Sequence, residues 1–339
     1  MINQSYRLTS PRVIKAEMID EVLKEEDIIV RPTYLAICAA DMRYYTGSRD
    51  KNALKKKLPM ALIHEAVGQV LYDPKGKLPY GTKVVLIPNT PTEKDPIIKE
   101  NYLRSSKFKS SGIDGFMQSF VLINRNRVIP YENIDEKTAV LLEVMSVGMN
   151  AVSKFEKTAH ARRDVIGVWG DGNVGYALSV ILKSLYPASK LIVFGAIKEK
   201  LDYFSFADET YLVSDEALEN IKVDHAFECV GGRYAEDAIN QIIDCINPEG
   251  TISLMGVSEH KVPINTRMVL EKGLSLLGNS RSSYEDFDRC IKLLEDKKVA
   301  RTMAKIISDE VVVKTIKDMT DAFDKDSNNA FKTVMKWEI

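Results

Sequence analysis

The stretch VIGVWGDGNVGYALSVILKSL, residues 165–185, decides the fold. It opens with Val165–Trp169, an apolar run that reads as a short buried strand. A turn follows with glycine at Gly170, Gly172 and Gly175. Beyond it Val174, Ala177, Leu178, Ile181, Leu182 and Leu185 recur at the spacing of one buried helix face. Strand, G-x-G-x-x-G and helix in succession form the context of a dinucleotide fingerprint. The first glycine makes the turn, the second admits a pyrophosphate to the backbone, and the third lets the helix pack on its strand. The free N–H groups and positive dipole end of that helix favour phosphate. Gly170, Gly172, Asn173, Val174 and Gly175 are therefore the expected nucleotide-binding residues.

Outward from this motif the chain alternates. Further strands are expected at residues 191–194, 225–230, 251–256 and 274–278, and helices at 201–207, 234–246 and 284–294. That order implies a doubly wound parallel sheet. A helical pattern at 137–155 leads into the motif. Upstream, residues 1–146 read as mostly β. Strands are expected at 27–38, 66–72, 82–87 and 116–123, with Gly/Pro turns between them. The tail from 311 has strand, helix and strand character and is expected to return to the first domain. The expected division is a catalytic domain at 1–147, a nucleotide domain at 148–281, and a return segment at 282–339.

Composition narrows the class. Across 339 residues, Lys+Arg is 47 against Asp+Glu 48, so no net field favours nucleic acid or an anionic membrane. No apolar run reaches membrane-spanning length. The start, Met1-Ile-Asn-Gln-Ser-Tyr-Arg, lacks the pattern of a signal peptide, and Cys38, Cys229, Cys245 and Cys290 are too scattered for a disulfide framework. A cytoplasmic setting is expected.

The first domain offers Cys38, closing a strand, and the pair His64-Glu65. Thiolate, imidazole and carboxylate form a zinc ligand set, and three such ligands with an open position make a catalytic site. On spacing alone, a strand-end cysteine is more often a small buried hydrophobe, and a lone His-Glu pair more often surface.

Several segments, in order along nearly the whole chain, carry a family likeness. They are Cys38-Ala39-Ala40-Asp41, Ile63-His64-Glu65-Ala66-Val67-Gly68-Gln69-Val70, Glu143-Val144-Met145-Ser146-Val147-Gly148, the fingerprint, and Phe227-Glu228-Cys229-Val230-Gly231. Pro248-Glu249-Gly250-Thr251 and Ala330-Phe331-Lys332-Thr333-Val334 complete the set. With them the chain resembles the zinc-dependent medium-chain dehydrogenase/reductase family, in its polyol dehydrogenase branch. The resemblance implies an α/β protein with a GroES-like β-rich catalytic domain and a Rossmann domain. It implies one catalytic zinc at Cys38 and His64 with Glu65 or Glu143 as the carboxylate ligand, and Asp41 orienting His64. It also implies a homodimer joined through edge strands, with residues 274–278 as the candidate edge.

Departures from the family pattern refine this. The lobe at about 88–115 has no cysteine, so no structural zinc is expected. Ala40 stands where the family often has a proton-relaying Ser or Thr, and Ile63 where it has glycine. Arg43, with Tyr44 beside it, suits a phosphorylated substrate, since guanidinium pairs bidentately with phosphate oxygens. Gly195 replaces the acid that usually ends the second strand, and Lys198 and Lys200 follow, which favours NADPH over NADH. Arg104, Lys107 and Lys109 add positive charge in the cysteine-free lobe.

Together these features resemble the ribulose-5-phosphate reductases that supply ribitol phosphate for teichoic-acid or capsule precursors. The implied reaction is hydride transfer from NADPH to C2 of D-ribulose 5-phosphate, with zinc as the Lewis acid. The proton is expected through zinc-bound water, near Glu65 or Glu143. The resemblance further suggests association with a cytidylyltransferase. The alternatives are an NAD(H)-dependent dehydrogenase of an unphosphorylated polyol, and a zinc-free reductase or cofactor-binding protein on the same fold.

Overall fold

In the computed structural model every residue except 216, 217 and 219 is described. The chain forms two compact units, Met1–Glu143 with Ser283–Ile339, and Val144–Ser282.

The first unit is built around the strand Asp27–Ala36. It pairs antiparallel with Glu65–Tyr72 on one side and with Lys332–Trp337 on the other. The register sets Ala36 opposite both Glu65 and Val334. The end of one strand and the starts of two others therefore meet, and Cys38, Glu65 and Lys332 are brought to one end of the sheet. Pro32 lies inside this strand, and the register slips between it and Tyr34, as expected where a residue has no N–H to give the ladder. The sheet continues through Lys83–Leu86 and Val128–Pro130, and through Ile307–Val313 beyond Lys332–Trp337. Leu35, Val70, Leu86, Phe116, Phe323 and Met335 fill the core beneath it.

The second unit is a six-stranded, wholly parallel sheet. Its order is Glu209–Leu212, Lys190–Gly195, Val165–Trp169, Val223–Glu228, Ile246–Leu254, Ser275–Gly278. The central strands are buried along their lengths, as apolar runs in a doubly covered parallel sheet should be. Ser275–Gly278 is an edge strand.

Several elements differ from the sequence expectation. Residues 116–120 are not strand; only Val121–Asn124 is, and Gln118 makes one isolated bridge to Ser5. The backbone there turns aside to bond the 61–63 segment, with Phe116 N–H donating to the Ile63 carbonyl at 2.7 Å. Gly115 is needed for that approach, since a Cβ would lie 2.3 Å from the Ile63 oxygen. The helix expected at 137–155 is two, Glu136–Ala139 and Leu142–Thr158. Leu141 N–H closes on Thr138 rather than one residue earlier, which tightens the chain between them. At 201–207 the helix is one turn, Lys198–Leu201, running into a 3₁₀ turn. The hairpin Ile2–Ser10 with Val13–Asp20, the helices Ala39–Tyr45, Lys51–Lys57 and Lys297–Ala304, and the strand Glu209–Leu212 had no sequence counterpart. No helix among the described residues is long and apolar enough to cross a membrane.

Candidate functional site

Cys38 is the N-cap of the helix Ala39–Tyr45, and Asp41 is the third residue of that helix. Asp41 has no exposed surface. Its Oδ2 accepts the Cys38 N–H at 3.3 Å and lies 3.4 Å from His64 Nδ1. Its Oδ1 accepts the Ile63 N–H at 3.1 Å and the Ser110 hydroxyl. One carboxylate thus caps a helix, fixes the His64 ring and ties in the 110 segment. With Nδ1 engaged, Nε2 is the nitrogen of His64 left for a ligand. Ile63 has φ 70°, a left-handed conformation that is costly for a β-branched residue. The bonds of its N–H to Asp41 and its carbonyl to Phe116 hold it there.

Ligand atoms of Cys38, His64 and Glu65 all lie within 4.8 Å of one another. Glu65 is wholly buried. Its Oε1 is held by the Lys332 ammonium, and Lys332 also donates to the Ile37 carbonyl at 3.1 Å. Its Oε2 is buried without a hydrogen-bond partner. An orphaned carboxylate oxygen beside a thiol and an imidazole is a costly arrangement for protein alone, and a soft-to-borderline cation resolves it. The donor set fits zinc. Glu143, also buried, starts the Leu142–Thr158 helix but is not among these three donors.

Charge is tightly balanced here. Burial pushes the Asp41 carboxyl up, but the His64 charge and the bonds from His64, Ser110 and Ile63 outweigh it and hold it low. Burial pushes His64 down, and Asp41 and Cys38 more than reverse this. Burial raises Glu65 against the pull of Lys332 and His64. Glu143 is raised to about 7, chiefly by burial, with His64 opposing and Glu65 reinforcing. Burial pushes the Lys332 ammonium down, but Glu65 and Cys38 win and raise it.

Of the other expected residues, Arg43 is half-buried on the same helix as Asp41. Tyr44 is only 2% exposed, and its ring is covered by the Arg49 guanidinium at 4.9 Å and the Lys57 ammonium at 5.8 Å. Its hydroxyl is buried without a partner. Lys107 and Arg104 are exposed, and Lys109 is half-buried.

In the second unit the fingerprint turn has a nucleotide cradle's shape. Gly170 takes φ 128°, and a Cβ there would press on Cys229. A Cβ on Gly175 would lie 1.9 Å from the Gly170 oxygen. A Cβ on Gly172 would meet nothing within 4 Å, so the space above it is open to a ligand. Gly172 is the N-cap of the helix Asn173–Leu185 and no side chain caps it, so its first N–H groups are open to a ligand. The turn fits a dinucleotide. Lys198 is exposed and pairs with Asp202 at 3.0 Å, and Lys200 lies on the same helical turn.

Lys332 and Ser110 are the residues of the site that sequence reasoning missed. Lys332 sits in a quoted family segment, but its target lies 267 residues away. Ser110 lies in the lobe read for its lack of cysteine and for its charge.

The fold and this donor set define a zinc-dependent dehydrogenase. Residues 24–133 match the model of the alcohol dehydrogenase GroES-like domain, and residues 174–296 that of the zinc-binding dehydrogenases. The chain is 48% identical over 342 residues to a ribulose-5-phosphate reductase of Bacillus spizizenii, covering 100% of each. It is 49% identical to ribulose-5-phosphate reductase 1 of Staphylococcus aureus, covering 99% of each. The crystal structure of S. aureus TarJ in complex with NADPH matches with a TM-score of 0.88, 43% identity and full coverage of both chains. The chain belongs to the zinc-binding dehydrogenase family, among the ribulose-5-phosphate reductases.

Proposed function

We propose that this chain reduces D-ribulose 5-phosphate to D-ribitol 5-phosphate with NADPH, at one zinc held by Cys38, His64 and a carboxylate, Glu65 or Glu143. The observation that carries the reaction class is the buried thiol, imidazole and carboxylate cluster with its orphaned Glu65 oxygen. When bound, zinc supplies a Lewis acid for a carbonyl oxygen and NADPH supplies the hydride. Asp41 keeps the His64 ring in one orientation. With Glu65 as the ligand, Glu143, a buried carboxyl that interacts with His64 and Glu65, is the acid–base group beside the cluster. Arg43 takes the substrate phosphate, with Arg49 and Lys57 adding positive charge around Tyr44. Gly170, Gly172, Asn173, Val174 and Gly175 seat the pyrophosphate, with Gly195, Lys198 and Lys200 beside the adenosine ribose.

The names of the full-length relatives support the substrate, and the NADPH complex of TarJ supports the cofactor. The same reading makes the chain a cytoplasmic enzyme supplying teichoic-acid or capsule precursors. It acts as a homodimer through the edge strand Ser275–Gly278, whose half-exposed leucines need covering, and associates with a cytidylyltransferase. The expected domain division, 1–147, 148–281 and 282–339, lies within four residues of the boundaries of the compact units, after Glu143 and after Ser282.

Steady-state kinetics test the proposal. NADPH oxidation is expected with D-ribulose 5-phosphate, with kcat/KM far below this for unphosphorylated ribulose and for NADH. Arg43→Ala should depress the phosphorylated substrate at least tenfold, the loss of a charge-assisted bidentate pair, and leave the neutral sugar unchanged. Equal use of both sugars would contradict it.

A further inference from the structure

In a Rossmann domain an acid at the end of the second strand reads the ribose 2′ position. Here that strand, Lys190–Gly195, ends in glycine, and the sequence alone reads as a site without the acid. The structure supplies a carboxylate there from a different element. Asp171, the residue after the first fingerprint glycine, folds back across the strand end. Its Oδ2 accepts the N–H groups of Ala196 and Ile197, both at 2.8 Å.

Gly195 is what makes room. A Cβ at Gly195 would lie 2.8 Å from both Asp171 Cβ and Oδ2, and 2.7 Å from Leu201 Cδ2. The missing acid and the folded-back acid are thus one feature, since a side chain at 195 and Asp171 in this position exclude each other. Asp171 is half-buried beside the exposed Ala196 and Ile197, and it adjoins Gly172, where a Cβ would meet open space. The nearest compensating cation along the turn, Lys198, is paired with Asp202.

We infer that Asp171 is a specificity-determining residue for the nucleotide. It presents a negative charge to a 2′-phosphate and an acceptor to a 2′-hydroxyl. The chain's preference for NADPH therefore stands against Asp171, and removing the charge sharpens it. This inference rests on the reading that a nicotinamide dinucleotide occupies the fingerprint turn.

The test isolates the 2′ group by titrating 2′,5′-ADP and 5′-AMP calorimetrically into the full-length, zinc-loaded protein. Asp171→Asn keeps the shape and an oxygen for the two N–H groups, and removes only the charge. Its affinity for 2′,5′-ADP is expected to rise roughly five- to tenfold, as for one like charge removed near a protein surface. Its affinity for 5′-AMP is expected to stay level or fall. Asp171→Ser should move the ratio the same way. An unchanged or reduced affinity of Asp171→Asn for 2′,5′-ADP would overturn the inference. The wild-type ratio separately tests the NADPH reading, and no binding of either nucleotide by wild type would overturn both.

Discussion

Lys332 has 1% of its surface exposed and is bonded to the wholly buried Glu65. Removing one member of a buried ion pair leaves the other charge without compensation, which costs about 3–5 kcal/mol. Lys332→Met in metal-free protein should lower the stability measured by urea unfolding by that order. A change below about 1 kcal/mol would mean that Glu65 is neutral in the fold. Cys38, His64 and Glu65 were legible because the segments that carry them, Cys38–Asp41 and Ile63–Val70, resemble a family's zinc-site motifs, where residue type and spacing alone left them open. Lys332 was not, because nothing local marks a lysine in a strand as buried. Only the pairing of Lys332–Trp337 with Asp27–Ala36, which sets Val334 against Ala36, carries it to the cluster. Asp171 was quoted within the fingerprint, but its turn back onto Ala196 and Ile197 has no signature in residue type.

Among the elements, the strand, turn and helix at 165–185 separate two roles of glycine. Gly172→Ala should leave thermal stability unchanged, since its Cβ meets no protein atom, yet weaken nucleotide binding by occupying the open space. Gly175→Ala should lose both, since its Cβ falls on the Gly170 carbonyl. Calorimetric melting and nucleotide titration of the two variants check this. The strand Val223–Glu228 carries another consequence. His225 has no exposed surface, accepts the Thr251 N–H at 3.2 Å through Nδ1, and has the His160 ring 4.2 Å away. Burial, with His160 adding, pushes its imidazole down to about 4.

The neutral form is therefore the folded form, while the unfolded chain takes up a proton near pH 6.5. Stability from this group is full above about pH 6.5 and is lost as pH falls toward about 4. Between pH 7 and pH 5 the expected loss is about 2 kcal/mol. His225→Phe should shrink the difference between urea unfolding at those two pH values by that amount, whatever its effect at pH 7. Val165–Trp169 and Tyr284–Leu294 were readable because periodicity and burial agree in them. Residues 116–120 misled because apolar residues there are buried by a crossing segment rather than by a ladder.

At the scale of the molecule, the chain leaves its first unit after Glu143 and rejoins it at Ser283. The return is structural, since Lys332–Trp337 becomes an interior strand of the first sheet. The alternation of strands and helices made the parallel sheet legible, because each unit of that pattern is local. The sheet order of the first unit was not, because its pairings are non-local, that of Ala36 with Val334 spanning nearly the whole chain, and no periodicity records a partner.

The central claim is that one zinc, at the Cys38 cluster, serves the reaction. The direct measurement is metal content per chain by elemental analysis of the purified protein, repeated on Cys38→Ser and His64→Ala. One zinc per chain in the wild type, lost in both variants while the fold persists by circular dichroism, is the predicted result. Zinc retained in both variants, or none in active wild-type protein, would contradict the account.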